Sequence, residues 1–212
     1  RQTAMLYDGI IFSNVSDGLL FHTTLNGPLE WVTARDSGYL IKRILEREYE
    51  EGNADFWNNV YNISGGKKNR RTGYDTFADG FSIMGGSPKA YFKPNWCETR
   101  NFHGLWFADG ALDDMFGYRR DTVEEFWNAM GKKFRAFKAA RLLPSSVIGL
   151  FVFRRLLGDA NSPMKWLKNG DVARVTAAFG GMEEARAVAS DWKNFKVENA
   201  KAYGSEEEKP LE

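Results

Sequence analysis

Two histidines and one cysteine, His22, His103 and Cys97, are all that this chain offers of imidazole and thiol chemistry. His103 lies in Asn101-Phe-His-Gly-Leu-Trp106, where rings and a glycine permit close approach of a ligand. A histidine so placed can polarise or deprotonate a substrate. The plainer reading, a hydrogen-bonded and half-buried histidine, is the commoner role. His22 falls in a strand-like segment and is assigned no role. Ligands this few and this far apart cannot assemble a zinc-type cluster from local sequence.

Asp113-Asp114 and Glu124-Glu125 are adjacent pairs, and adjacent helix positions point in different directions, so neither suits paired acid and base work. Lys67, Lys68, Arg70 and Arg71 sit in a glycine-flanked loop that could grip phosphate or RNA. The spacing is not that of a phosphate-binding P-loop, and such runs are usually solvated turns, so nucleic acid is not expected as a partner. Trp96, Trp106 and Trp127 are candidates for lining an apolar cleft around a bulky small molecule, although a stripe such as Phe126 to Phe137 is more often plain core.

Composition bounds these readings. The 212 residues can bury a substantial core, and 29 basic against 28 acidic side chains leave no global field toward nucleic acid or acidic membranes. Sixteen Phe, eight Tyr and seven Trp favour a core or groove of flat, bulky side chains. Cys97 is alone, so no internal disulfide forms and a reducing, cytoplasmic setting is expected. The longest apolar run, Val147 to Phe153, stops at Arg154-Arg155, far short of a bilayer span, so no membrane partner is expected. Arg1 opens directly into a strand-like segment without a Met, which suggests a piece of a longer protein.

The elements that position these residues centre on Leu29-Glu-Trp-Val-Thr-Ala-Arg-Asp36. Its alternation reads as a short strand, and Asp36 or Ser37 can cap the helix that follows. Leu40, Ile41, Ile44 and Leu45 give that helix one apolar face. Asn59 to Ser64 reads as a second strand, ended by Gly65-Gly66, which makes a strand-helix-strand unit suited to a parallel sheet. Thr72 or Asp75 starts a helix through Phe77, Phe81 and Met84, and Asp109 caps a short helix closed by Gly117. Thr122-Val-Glu-Glu125 fits a capping box opening a helix whose stripe runs from Val123 to Phe137. Helices are expected from Pro144 to Leu157, Met164 to Lys168, Val172 to Phe179 and Met182 to Phe195.

On these residues the chain resembles the later part of the extended short-chain dehydrogenases, the NAD-dependent epimerases and dehydratases. Thr33-Ala-Arg-Asp36 is similar to that family's Val-x-Asp signature, Val60-Tyr-Asn-Ile-Ser-Gly-Gly66 to its Tyr-Asn-Ile-Gly strand, and Arg1 to Tyr7 to its Arg-Pro-x-x-Val-Tyr strand. The resemblance covers about the first hundred residues and rests on short motifs. It implies NAD or NADP as cofactor, with Gln2, Thr3 and Ala4 facing the nicotinamide and substrate. The substrate pocket is expected at Trp31, Trp96, His103 and Trp106. Neither a Gly-x-Gly-x-x-Gly turn nor a Tyr with Lys four residues later occurs, so the nucleotide-binding half would be a separate, preceding part and this piece alone inactive. Leu29-Glu30-Trp31 stands where the family often places an arginine, which argues against a nucleotide-sugar substrate.

The expected architecture is therefore α/β. A small parallel or mixed sheet with helices over residues 1–86, the end of a Rossmann-type fold, is followed by a mainly helical substrate-side subdomain over 87–204 and a flexible tail over 205–212. The alternative is a noncatalytic ligand- or protein-binding module with an aromatic groove. Whether the chain pairs as a homodimer is left open.

Overall fold

The computed structural model describes residues 2–10, 16, 18–83, 85–100 and 110–198. Among them, three short strands form a mixed sheet, with helices covering it, so the chain is α/β. β1 (Ala4–Leu6) runs parallel to β2 (Pro28–Thr33), with Ala4 opposite Trp31 and Leu6 opposite Thr33. β3 (Arg70–Thr72) is antiparallel to β2, with Glu30 opposite Arg70. The middle strand β2 is buried from Glu30 to Thr33, as a strand covered on both faces must be.

β2 leads straight into helix α1 (Ala34–Glu50). The cap is Thr33, not Asp36 or Ser37: its hydroxyl accepts from Asp36 N at 3.0 Å, placing Asp36 one turn into the helix. The buried face of α1 is Asp36, Leu40 and Ile44, while Ile41 and Leu45 turn outward. The apolar face is thus narrower than the sequence spacing suggested, because only one stripe of a helix meets a sheet this small.

Asn59 to Ser64 is not a ladder strand. Its contact with the sheet is one parallel bridge, Ile63 to Gln2, so it lies beside β1 and not beside β2. The segment is bound to its own turn instead: Asn58 has φ +64°, Asn59 Nδ2 donates to Asp55 O and Trp57 O, and Tyr61 stacks on Phe56 at 5.1 Å. Gly65 then passes so close to β2 that an added Cβ would lie 2.0 Å from Trp31 O.

Helix α2 (Gly73–Ser82) opens on a Thr72 and Asp75 capping box. The short α3 (Pro88–Tyr91) and α4 (Ala111–Phe116) follow, the latter closed by Gly117 at φ +56°. α5 (Val123–Lys133) has the Thr122 and Glu125 capping box read from sequence. Its buried stripe is Val123, Phe126, Trp127 and Met130, and the α-helix ends before Phe134, which with Phe137 continues in a 3-10 turn. Residues 145–157 wind as α6 (Ser145–Ile148), a π turn (Gly149–Phe153) and α7 (Arg154–Leu157). α8 (Pro163–Asn169), α9 (Val172–Phe179) and α10 (Met182–Ala187) complete the order. The last helix is shorter than expected, because Val188 is already extended at ψ 128°.

Among the described residues, three of the four apolar clusters join residues from both sides of residues 86 and 87. Phe21, Phe77 and Phe81 pack with Tyr91, Phe92 and Phe153; Leu6 and Trp31 with Phe126 and Trp127; Val32 and Leu40 with Phe116 and Tyr118.

Candidate functional site

A cleft of about 980 Å³ opens where β2, α2, α5 and the π turn converge. β2 contributes Pro28, Leu29 and Trp31, the first two half-buried and Trp31 held by its indole N–H, which donates to Thr76 Oγ1 at 3.0 Å. α2 brings Phe77, Gly80 and Phe81 to the wall at helical spacing. Trp127 of α5 closes one side, its ring against Gly80, where a Cβ would lie 3.6 Å from Trp127 Cη2. The π turn widens its segment by one residue and presents Val152 and Phe153 to the same space, a distortion often met at working sites.

The polar end of the cleft is built by a 3-10 turn, Gly18–His22, and the strand-like reading of this stretch gives way to it. His22 lines the cleft with its ring held on three sides. Nε2 lies 2.7 Å from Asn161 O, Nδ1 lies 3.4 Å from Glu98 Oε1, and the ring meets Trp166 edge to face at 5.1 Å. A carbonyl only accepts, so Nε2 carries the hydrogen, and contact between Nδ1 and the carboxylate is favourable when a proton lies between them. Burial pushes the Glu98 carboxyl up to about 7, which puts that proton in play at neutral pH. The pair fixes the ring at the wall rather than leaving a ring nitrogen for a ligand.

The residues singled out in the sequence are not all brought together. Trp31 lines the cleft. Trp96 packs instead into the aromatic core, edge-on to Phe21 at 5.8 Å. His103 and Trp106 lie outside the described residues, as do Asp109, Met84 and the tail over 205–212. Gln2 and Thr3 lead into β1, which begins at Ala4, and none of the three lines the cleft, although Ala4 packs against the cluster of Trp31 and Trp127; Thr3 N donates to Ile63 O at 3.0 Å, and its Oγ1 has no hydrogen-bond partner among the described residues.

The helix that follows the parallel strand has its N-terminus filled by carboxylates: Asp36 Oδ2 accepts from Arg120 N and Asp121 N, and Asp121 Oδ2 accepts from Thr33 Oγ1. Arg35 lies 3.4 Å from Asp121 and Arg120 3.9 Å from Asp36, so these carboxylates have their countercharges within the chain. Burial raises the Asp36 carboxyl above its usual range despite those two donations.

The basic loop is likewise engaged internally. Lys68 donates to Arg119 O, Arg70 pairs with the buried Glu30 at 3.2 Å, and Arg71 bonds Asp79 and Glu124. Among the described residues, no group of three or more His, Cys, Asp or Glu is placed to hold a metal, and no helix is long and apolar enough to cross a membrane.

Sequence reasoning missed His22, Glu98, Thr24 and Phe153. The cleft joins segments more than a hundred residues apart, and no local pattern carries that. The glycine at position 80, one turn beyond Thr76 on the wall of α2, is the nearest thing to a local signal. Comparison of the chain with protein-family models, with curated proteins and with solved structures gives no match.

Proposed function

We propose that this chain is the substrate-binding C-terminal portion of an NAD(P)-dependent, epimerase- or dehydratase-like oxidoreductase, and that the nucleotide-binding half belongs to a preceding part of the polypeptide. The observation that carries the reading is the parallel pairing of Ala4 with Trp31, which sets the segment resembling the family's Arg-Pro-x-x-Val-Tyr strand beside the strand that opens into the cleft. On this reading the Rossmann-type sheet continues through β1 into the missing half. Residues 2–4 then sit at the seam where hydride transfer takes place, Thr3 Oγ1 being the buried hydroxyl still in want of a partner. NAD or NADP would supply the hydride chemistry. This chain supplies the apolar wall that holds and orients the substrate, with Trp31 fixed by Thr76.

The test is the coding sequence upstream of Arg1 together with dinucleotide binding by the native polypeptide. A Gly-rich turn and a Tyr-x-x-x-Lys pair upstream, with NAD(H) or NADP(H) bound by the whole protein, support the proposal. An upstream sequence lacking both leaves a ligand-binding module with an aromatic groove, which the Phe77, Phe81 and Phe153 wall favours as the second reading.

A further inference from the structure

Helix α1 carries apolar residues on two sides. Leu40 and Ile44 turn to the sheet, and on the outward side Ile41, Leu45 and Tyr49 recur every fourth residue with 54%, 62% and 93% of their surface exposed. Trp57, 48% exposed, extends this stripe, because its indole N–H donates to Glu48 Oε2 at 2.9 Å and holds the ring beside the helix. Gly38 is exposed on the same side, and a Cβ built there meets nothing within 4 Å. The water-facing side of a helix is ordinarily polar. A contiguous run of Ile, Leu, Tyr and Trp with charged flanks has the composition of an interface.

The charges say what covers it. Arg35, Lys42 and Arg43 stand in the first half of α1, and Glu46, Glu48 and Glu50 in the second, where the one arginine, Arg47, is bound to Asp55 at 2.9 Å. An identical helix laid antiparallel on this one sets the basic half against the acidic half. A parallel copy sets like against like.

We infer that the outward face of α1 binds the same face of a second copy of this chain, antiparallel about a two-fold axis level with the peptide between Arg43 and Ile44. In that register Lys42 comes beside the partner's Glu46, and the reciprocal pair forms by symmetry. Ile41 packs on the partner's Leu45, and each Tyr49 ring covers the bare Gly38 of the partner subunit. Lys42 and Glu46 already lie along one flank of the stripe, 3.2 Å apart within each helix. The 17 residues of α1 make a face roughly 25 Å long and about 10 Å wide, well below the ~800 Å² per partner of a tight complex. The dimer is therefore weak, with a dissociation constant on the order of 10–100 µM.

Sedimentation velocity of the full chain over roughly 1 to 500 µM tests the pairing. Association rises with concentration. Leu45→Lys, a change at an exposed position that keeps the circular dichroism spectrum, stays monomeric throughout, and Tyr49→Ala weakens association about tenfold or more. Lys42→Glu and Glu46→Lys each weaken it about tenfold by setting like charges side by side. An equimolar mixture of those two variants pairs again, because each supplies the charge the other lacks. A monomer at every concentration, a dimer indifferent to Leu45→Lys, or a mixture no better than its components overturns the inference. A monomer whose melting temperature falls in Leu45→Lys assigns the stripe to another part of the same polypeptide and overturns it too. The inference is independent of the cleft: an upstream sequence without a dinucleotide half leaves it standing, and failure to pair leaves the oxidoreductase reading untouched.

Discussion

The phenol oxygen of Tyr118 serves both backbone groups of Ser64, accepting from Ser64 N at 3.0 Å and donating to Ser64 O at 2.7 Å. Tyr118 is fully buried, and the Arg119 guanidinium adds bonds to Ser64 O and Oγ. Two consecutive side chains thus replace the strand partner that Ser64 lacks. In Tyr118→Phe the carbonyl keeps Arg119 but the buried N–H loses its acceptor, so the variant unfolds with about 1–3 kcal/mol less stability. Urea denaturation of the two proteins reads the difference, and Ser64→Ala, which removes only the Oγ bond, loses less.

Glu98 makes stability depend on pH. Its carboxyl sits at about 7 in the fold against an ordinary value of 4.5, so the folded protein holds a proton that the unfolded chain has released. A raised carboxyl contributes its stability below about pH 4.5 and loses it as pH rises through about 7. Between those values the native chain weakens relative to Glu98→Gln by up to about 3 kcal/mol. Denaturation midpoints at pH 5, 6, 7 and 8 give the slope; parallel curves for the two proteins would contradict the assignment.

Gly65 and Gly38 separate close packing from helix propensity. A Cβ at Gly65 would meet Trp31 O at 2.0 Å and Asn69 Nδ2 at 2.4 Å, and the first of these is backbone that cannot step aside. Gly65→Ala therefore loses several kcal/mol, on the scale of about 3–5 seen for disrupted cores. Gly38 lies exposed in α1 with nothing within 4 Å, so Gly38→Ala gains roughly 0.5–1 kcal/mol. Thermal melts of the pair move in opposite directions.

Glu30 is a charge with a fixed counterpart. Its fully buried carboxylate takes Arg70 Nε at 3.2 Å on one oxygen and Gly66 N at 3.0 Å on the other, joining β2 to β3 and to the turn before it. Glu30→Ala takes a buried carboxylate away from both the Arg70 guanidinium and Gly66 N and loses about 3–5 kcal/mol. Measuring Arg70→Met and the double variant completes the cycle, and the double variant is less damaged than the sum of the single losses.

Much of the local architecture was legible in the sequence, because its signals are short-ranged. Thr122 with Glu125 announces α5 as a capping box, and Thr72 or Asp75 announces the start of α2, where the two prove to form a second box, each satisfying backbone donors within four residues. Asp36 was legible only as a helix cap, because the groups it actually binds, Arg120 N and Asp121 N, come from far along the chain. Asn59 to Ser64 misled because its alternation is real but its pairing is not: side chains of Asn59 and Tyr61 bond within the turn. Trp31 and Trp127 meet across one cleft wall only after folding, so no spacing announces the cleft. The strand-like reading of His22 failed for the same reason, its ring being held by Asn161 and Glu98.

Asn26, at the rim of the cleft, donates through Nδ2 to Lys196 O and accepts through Oδ1 from Glu198 N. Trp192 adds an anchor by donating to Phe92 O at 2.8 Å. The last described stretch is therefore tied both to the cleft rim and to the aromatic core. Trimming the chain back to residue 190 would release the rim at Asn26 and, with Trp192 and Phe195, strip two rings from the outside of the aromatic cluster that carries Phe77, Phe81 and Phe153, so the far end of the chain is tied energetically to the cleft wall.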